Sequence, residues 1–203
     1  MHSNWAAGQQ ASTRKPSAKN WRWEKKLYIS QNNQSPEKRC EKAIAEHCGE
    51  DWVNQVPTAS GLLNGVNEKH CNIDLVHRIA PTEFEFIELK YEDGTPLSAG
   101  FEILKYGLLY VFSRRYAAML GYSEPRNSIL GASVVHLRVV APAAYYLRFR
   151  MDWLQNEANL GLGSLRLDGY EMDFRFESMS WPTEEKLASA VAARTTVYQL
   201  GHV

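Results

Sequence analysis

The sequence has no excess of charge of either sign. Lysine plus arginine and aspartate plus glutamate each total 23, so the formal net charge is zero. A protein without a net electrostatic field is not drawn as a whole to nucleic acid or to anionic lipid. Any site for a polyanion must therefore be a local patch.

Cysteine, long apolar runs and nucleotide-binding glycine motifs are also scarce. The three cysteines form an odd set with no close Cys-x-x-Cys pair, and no apolar leader follows Met1. These features predict a reducing, cytoplasmic compartment without structural disulfides. The run "ILKYGLLYVF" is interrupted by Lys105 and is shorter than the ~20 residues that a membrane span needs, so no membrane association is expected. Neither Gly-x-Gly-x-x-Gly nor a Walker loop occurs, which argues against nucleotide-driven motor chemistry.

The residues that are present suffice for one globular domain. The chain has 203 residues, of which 44% are hydrophobic and 11% aromatic, enough for one sizeable core. Residues 1–20 are polar, small and aperiodic, which predicts a disordered tail. Residues 21–203 are predicted to form a single domain, with a core over about 36–141 and a C-terminal elaboration over 142–203.

Cap and turn residues divide this core into a helix, three strands, a helix and a strand. Ser35 and Pro36 begin the first predicted helix, and Ser98 is the predicted N-cap of a long helix closed by Gly121. Further helices are predicted over "PAAYYLRFRMDWLQNEANL" and "TEEKLASAVAARTTVYQL", and strands over "DWVNQVP", "CNIDLVHRI", "EFEFIELKYE", "SVVHLRVVA" and around Asp168-Gly169. The order predicts an α/β fold with a mixed sheet.

Two charged residues share one face of the third predicted strand, "FEFIELKYEDG". Glu88 and Lys90 are two positions apart, and a hairpin centred on Pro81 places Asp74 directly opposite Glu88. Like charges at such short range need compensation, either by Lys90 or by a divalent cation such as Mg²⁺ or Mn²⁺, which carboxylate oxygens suit. The alternative is a solvated face on which Lys90 makes an exposed ion pair contributing ~0–1 kcal/mol.

These residues resemble the motif of the PD-(D/E)XK nuclease superfamily, which has the restriction-endonuclease-like fold. The resemblance covers about residues 36–141, through "NID", "IELK" and the αβββαβ order. It implies a mixed central sheet flanked by helices, with extra C-terminal strands and a helix. Asp74 matches the aspartate at the end of the second core strand, and Glu88 and Lys90 match the Glu-x-Lys of the third. Ile73 stands where the family usually has a proline.

The resemblance implies metal-dependent hydrolysis of phosphodiester bonds in DNA, with RNA as an open alternative and a homodimer compatible with it. Asp74, Glu88 and the Leu89 carbonyl would hold Mg²⁺ or Mn²⁺, and Lys90 would orient the water or stabilise negative charge. A second interpretation is a catalytically silent nuclease fold that acts as a nucleic-acid-binding or protein-assembly module. A third is an α/β domain unrelated to nucleic acid, with superficial charges.

Residues on the two core helices complete the predicted site. Glu41, in "EKRCEKAIAEHCG", resembles the helical glutamate of the Holliday-junction-resolvase-like branch, with a role in binding a second ion or its waters, and Glu37 is its competitor. Lys105 and Tyr106 are candidate phosphate contacts on the next helix. Their alternative roles are a rim lysine and a core tyrosine at helical spacing.

Arg114 and Arg115 are candidate nucleic-acid-binding residues of a local basic patch that would also include Arg126. Arginines near the C-terminus of a helix also interact favourably with the helix macrodipole. The macrodipole interpretation is slightly favoured for this pair.

Overall fold

The computed structural model describes residues 17–30, 32–59, 71–123, 125–164 and 169–197. Within these ranges the chain forms an α/β structure around one six-stranded mixed sheet with helices on both faces. The helices are α1 (Pro36–His47), α2 (Pro96–Arg115), α3 (Ala117–Leu120), α4 (Ala143–Tyr146), α5 (Asp152–Gly163) and α6 (Leu187–Ala192), with 3₁₀ helices at Ser128–Gly131 and Glu184–Lys186. The strands are β1 (Trp52–Pro57), β2 (Asn72–Ala80), β3 (Glu83–Leu89), β4 (Val134–Ala141), β5 (Glu171–Ser178) and β6 (Thr195–Thr196).

The strands lie in the sheet in their chain order, which matches the predicted α/β class. Strands β1, β2 and β3 form an antiparallel meander, whereas β4 is parallel to β3 and β5 is parallel to β4. A parallel pair needs a crossover connection, which α2 provides between β3 and β4. One edge of the sheet therefore holds the ends of β3 and β4 and the start of β2. We call it the carboxyl edge.

The predicted register of the β2–β3 hairpin is confirmed. Leu75 pairs with Ile87, and the same register continues to Arg78 and Phe84. Extending it one step toward the carboxyl edge sets Asp74 opposite Glu88. The loop itself is shorter than predicted, since only residues 81–82 separate the strands and an irregularity near Ala80 absorbs the difference.

Each face of the sheet has its own apolar core. The larger core lies under α2 and α5 and includes Phe84 and Phe86, and the smaller lies under α1 and α6 and includes Leu75 and Ile87. Helix α2 lies close to the sheet because a Cβ at Gly107 would come within 2.6 Å of the Leu137 side chain. No helix among the described residues is long and apolar enough to cross a membrane.

The start of α2 differs from the prediction. Its N-cap is Thr95 rather than Ser98, and Pro96 occupies the first turn. The Thr95 hydroxyl accepts from the Ser98 backbone N–H, and the Ser98 hydroxyl accepts from that of Thr95. This reciprocal capping box satisfies two donors at once, so the helix begins one turn earlier than a single cap at Ser98 would allow.

The C-terminal part contains less helix than predicted. The helix expected after Pro142 is two helices, α4 and α5, because the chain leaves the helical path over residues 147–151; α5 then continues through Gly161 and Gly163. The predicted final helix ends at Ala192, and the β-branched pair Thr195–Thr196 adds a short strand to β5. The strand expected before Asp168 falls on residues outside the described ranges.

The N-terminal arm is anchored in the fold from Asn20 onward. Asn20 and Trp21 are fully buried, although the predicted tail extends to residue 20. The Asn20 side chain donates to the Tyr122 hydroxyl at 2.9 Å, and the Asn20 backbone carbonyl accepts from the Asn127 side chain at 2.7 Å. Residues 1–16, the rest of the predicted tail, lie outside the described residues.

Candidate functional site

Glu88 and Lys90 meet at the carboxyl edge on the α2 face of the sheet. The Lys90 ammonium donates to Glu88 Oε1 at 2.6 Å and lies 3.4 Å from Glu102 Oε2 on α2. Glu88 is only 3% exposed, and Asp74 is 9% exposed. These acids are therefore not on the solvated face that the alternative interpretation requires.

Asp74 occupies the centre of the site and touches three elements. Its Oδ2 accepts from the Leu89 backbone N–H at 3.1 Å, while Oδ1 accepts from Lys38 and Gln55, each at 3.3 Å. The N–H and C=O of one strand residue point to the same side of the strand. The Leu89 carbonyl, a predicted metal ligand, therefore also faces β2.

Of the two glutamates on α1 that are candidates for the helical acid of the site, Glu41 is the one that lies beside Asp74. Its Oε2 accepts from Lys38 at 3.1 Å and from Gln55 at 2.9 Å, the same two donors that bind Asp74. Glu37 instead accepts from the Tyr91 backbone N–H at 3.1 Å. Glu37 thus ties the loop after β3 to the start of α1.

Two of these acids, Glu41 and Glu88, are hard to ionise. Burial, together with the charge of Asp74, raises the pKa of Glu41 to about 8 and holds the pKa of Glu88 well above its ordinary value. Burial by itself would lower the pKa of Lys90, but the Glu88 carboxylate outweighs it and the pKa of Lys90 is raised. A negative potential therefore fills the site and holds Lys90 in its charged form.

We call Glu41, Asp74, Glu88 and Glu102 the carboxylate cluster. Two ammonium groups, from Lys38 and Lys90, contact it. With every group ionised, four negative and two positive charges leave a net charge of minus two. A single divalent cation would neutralise that excess.

The fit of the carboxylate cluster to a cation is partial. Within the described ranges, no three histidine, cysteine, aspartate or glutamate side chains are arranged as a ready metal cage. Glu88 Oε2, however, is buried and has no hydrogen-bond partner among the residues that the structure describes. Hard carboxylate oxygens are the ligands that Mg²⁺ and Mn²⁺ prefer. The donor set thus suits such an ion, provided that Lys38 moves away from Asp74 and Glu41.

Sequence reasoning missed Lys38 and Gln55. Lys38 precedes Glu41 by three helical positions, a spacing at which opposite charges pair, so this contact had a signal in the sequence. Gln55 had none. Its φ of 49° lies in the left-handed region, which non-glycine residues rarely adopt. That conformation within β1 accompanies a side chain that reaches both Glu41 and Asp74.

The predicted phosphate contact of Tyr106 is wrong, whereas Lys105 remains at the surface. Tyr106 is 1% exposed, and its hydroxyl donates to Glu102 Oε1 at 3.3 Å. A ring this buried belongs to the core and cannot reach a nucleic acid. Lys105 is exposed, with its ammonium 4.6 Å from the centre of the Tyr106 ring.

Arg114 and Arg115 lie outside the site. Arg114 is twelve residues beyond Glu102 on α2, or about 18 Å along the helix axis. Its guanidinium donates to the Tyr110 hydroxyl at 3.0 Å and to the Ala132 carbonyl, so it fastens the end of α2 to the core. Arg115 is the exposed last residue of the helix. Both positions fit the macrodipole interpretation that the sequence slightly favours, and contact of these arginines with nucleic acid stays a prediction.

No protein-family model, curated protein or solved structure matches this chain. The molecule is therefore described by its own structure, an α/β protein with a six-stranded mixed sheet. Its most unusual local feature is the buried carboxylate cluster at the carboxyl edge. Membership of the nuclease superfamily stays a proposal, and its support comes from the geometry of this cluster.

Proposed function

We propose that this chain is a metal-dependent nuclease of the PD-(D/E)XK type that hydrolyses phosphodiester bonds in DNA. The observation that carries the proposal is the convergence of Glu41, Asp74, Glu88 and Lys90, from three different elements, at one edge of the sheet. Buried acids that repel one another cost stability, and such an arrangement is typical of functional sites. The Glu88 Oε2 atom, which is buried without a hydrogen-bond partner among the described residues, adds a ligand oxygen to this set.

The order and direction of the strands support the same proposal. Helix α1, the β1–β2–β3 meander, α2 and the parallel strand β4 follow the αβββαβ order of the restriction-endonuclease-like core. Helices α4, α5 and α6 and strands β5 and β6 are then the C-terminal elaboration. A fold does not define an activity, so the weight of the proposal lies on the side chains.

The residues of the site have two kinds of role: the acids and the Leu89 carbonyl would bind metal ions, and Lys90 supplies a positively charged side chain. Asp74, Glu88 and the Leu89 carbonyl would hold the first ion, and Glu41 a second ion or its waters. A bound Mg²⁺ lowers the pKa of a coordinated water and neutralises charge on the phosphoryl oxygens. Lys90 keeps its proton because of Glu88, so its role is to donate hydrogen bonds to the attacking water or to a phosphate oxygen rather than to act as a base.

A second candidate is the nuclease fold without turnover, used for binding or assembly. The observation that favours it is Lys38, whose ammonium already bridges Glu41 and Asp74. A lysine in that position neutralises the acids without any metal. The two candidates differ in whether a divalent cation displaces it.

Manganese is expected to stabilise the protein through the carboxylate cluster. A ligand that binds only the folded state, at about 100 times its dissociation constant, stabilises by ~2.7 kcal/mol, which for a chain of this size raises Tm by about 5 to 10 °C. Asp74→Asn keeps a hydrogen-bond acceptor for the Leu89 N–H but removes a charged ligand. The rise in Tm caused by Mn²⁺ should therefore largely disappear in this variant. The measurement is thermal unfolding during a Mn²⁺ titration, reversed by EDTA.

The matched control is Asp93→Asn, which changes an exposed aspartate in the loop after β3. It should show the full wild-type shift. A wild-type protein whose Tm does not respond to Mn²⁺ or Mg²⁺ would favour the assembly module. An equal shift in Asp74→Asn would assign the ion to another place on the molecule.

A further inference from the structure

A short exposed segment of aromatic and basic residues connects α4 to α5. It lies between two buried side chains, Tyr146 and Met151, which are 3% and 9% exposed. Residues 147–150, "LRFR", are all exposed between them, and the exposed Trp153 is the second residue of α5. We call residues 147–150, together with Trp153, the LRFR segment. It is a surface strip held at both ends by the core.

The backbone of this strip is fixed rather than loosely attached. The Phe149 backbone N–H donates to the Tyr146 carbonyl at 2.9 Å. The Tyr146 hydroxyl in turn donates to the carbonyls of Val139 and Glu177, each at 3.0 Å. Phe149 and Trp153 nevertheless remain 42% and 53% exposed. Aromatic side chains held at the surface in this way lose little entropy when a ligand covers them.

Helix α4, to which the LRFR segment is joined, lies at the carboxyl edge, on the same side of the sheet as Glu88 and Lys90. Helix α4 begins two residues after β4 ends at that edge, and the Lys90 backbone N–H donates to the Val140 carbonyl at 3.0 Å. The Tyr145 hydroxyl lies 3.9 Å from the Cβ position of Gly94, in the loop that follows Lys90. The loop after β3 and the helix after β4 thus pack together.

Arg148 and Arg150 carry positive charge that the protein does not use internally. Both are exposed, and neither forms an ion pair with any other residue of the described ranges. A negatively charged cluster repels a phosphate backbone, so a nuclease site of this kind needs cations nearby. These two arginines supply them in a chain whose net charge is zero.

We propose that the LRFR segment holds an unpaired DNA strand at the site, with Phe149 and Trp153 stacking on bases and Arg148 and Arg150 contacting phosphates. This inference rests on the proposed nuclease function and narrows its substrate class. Base faces are available for stacking only where the strand is unpaired, whereas a continuous duplex exposes mainly its phosphates. The preferred substrate is therefore DNA with a single-stranded or branched region.

The first test is binding of a fluorescein-labelled oligothymidine, followed by anisotropy in EDTA. The double variant Phe149→Ala/Trp153→Ala is expected to bind at least about tenfold more weakly, since each stacked base contributes enough for a tenfold change in affinity. The control is Met119→Ala/Leu160→Ala, which trims side chains that are 60% and 71% exposed elsewhere. It should bind like the wild type.

The second test separates phosphate contacts from stacking. Arg148→Ala/Arg150→Ala should flatten the dependence of log K on log salt by about 1.4, because each phosphate contact on a single strand contributes a slope of about 0.7. Arg175→Ala, which changes an exposed arginine on β5 outside the segment, should leave the slope unchanged. The Phe149→Ala/Trp153→Ala variant should bind more weakly, but its log K should depend on log salt with the same slope as in the wild type.

Three results would overturn the inference. The first is that the wild type does not bind the oligothymidine. The second is that the segment variants and their controls lose the same affinity for it. The third is that a blunt duplex of the same length binds more tightly than the oligothymidine. Because the assay contains no metal, it does not depend on catalysis. Cleavage that is unaffected by the loss of Glu88 would defeat the proposed nuclease site and leave the binding result standing. Unchanged binding by the segment variants, with normal cleavage, would defeat only the present inference.

Discussion

Replacing Glu88 with glutamine is expected to abolish Mg²⁺-dependent cleavage of DNA while the protein remains folded. The amide keeps the size of the side chain and an acceptor for Lys90, but it removes the charge that holds a cation and fixes Lys90. Loss of a charge-stabilising group in an active site typically costs about 10²- to 10³-fold in rate, and loss of the metal adds to that. The measurement is cleavage of labelled single-stranded, duplex and branched DNA, with and without EDTA.

The same substitution should leave the metal-free protein at least as stable as the wild type. Glu88 is 3% exposed, and burial and Asp74 hold its pKa well above the ordinary value, so the carboxylate opposes folding at neutral pH. A neutral amide avoids that cost, and Lys90 keeps its contact with Glu102. Gain of stability with loss of activity is the expected signature of a site selected for function. Denaturant unfolding in EDTA measures it.

Glu92→Gln is the matched control, because Glu92 is an exposed glutamate four residues further on. It should retain both cleavage and wild-type stability. Full activity of Glu88→Gln, or a marked loss of stability in EDTA, would contradict the role given to Glu88. The first result would show that Glu88 is not needed for catalysis. The second would show that its ion pair with Lys90 stabilises the fold.

The β2–β3 register could be predicted because it depends on local information. The side-chain period of a strand is two residues, and a short turn leaves little freedom in pairing, so Asp74 and Glu88 could be set opposite each other from the sequence. The face shared by Glu88 and Lys90 followed from the same period. The structure agrees at the residues paired between Leu75 and Arg78.

The contributions of α1 and α4 to the carboxyl edge could not be predicted in the same way. Lys38 reaches Asp74 only because α1 packs across β1 and β2, and Gln55 only because β1 pairs with β2 in this register; no local pattern encodes either contact. The sequence places the LRFR segment within one long helix, since Pro142 can open it and no glycine or proline interrupts it before Gly161. Anchoring of Tyr146 and Met151 in the core overrides these local signals, and helix propensity is only a weak guide in such cases.

A second large effect is expected from Arg138→Met, on the α1 and α6 face of the sheet. Arg138 is 4% exposed and lies 3.1 Å from Asp173, 3.2 Å from Glu177 and 3.9 Å from Glu85. Removing one partner of a buried ion pair leaves uncompensated charge and typically costs about 3–5 kcal/mol. We expect a loss of that size in the free energy of unfolding at pH 7, measured by urea denaturation.

The pH dependence distinguishes this electrostatic cost from a packing defect. Burial by itself would raise the pKa of Glu85 and Asp173, but hydrogen bonds from His77 and His136, and the nearby arginines, hold both at about 2. A depressed folded-state pKa stabilises above the unfolded-state pKa, and that stability is lost as pH falls. In Arg138→Met these pKa values rise, so the stability difference from the wild type should shrink between about pH 5 and pH 2.

Arg175→Met provides the control from the neighbouring strand, since Arg175 is paired in register with Arg138. Its guanidinium also contacts Asp173, at 3.3 Å, but its side chain is 51% exposed. An exposed pair contributes only ~0–1 kcal/mol, so this variant should unfold nearly like the wild type at every pH. A loss in Arg138→Met that persists undiminished at pH 2 would identify side-chain packing as the cause. Equal losses in both variants would show that burial does not set the strength of these pairs, and therefore that the buried acids at the carboxyl edge need no special explanation either.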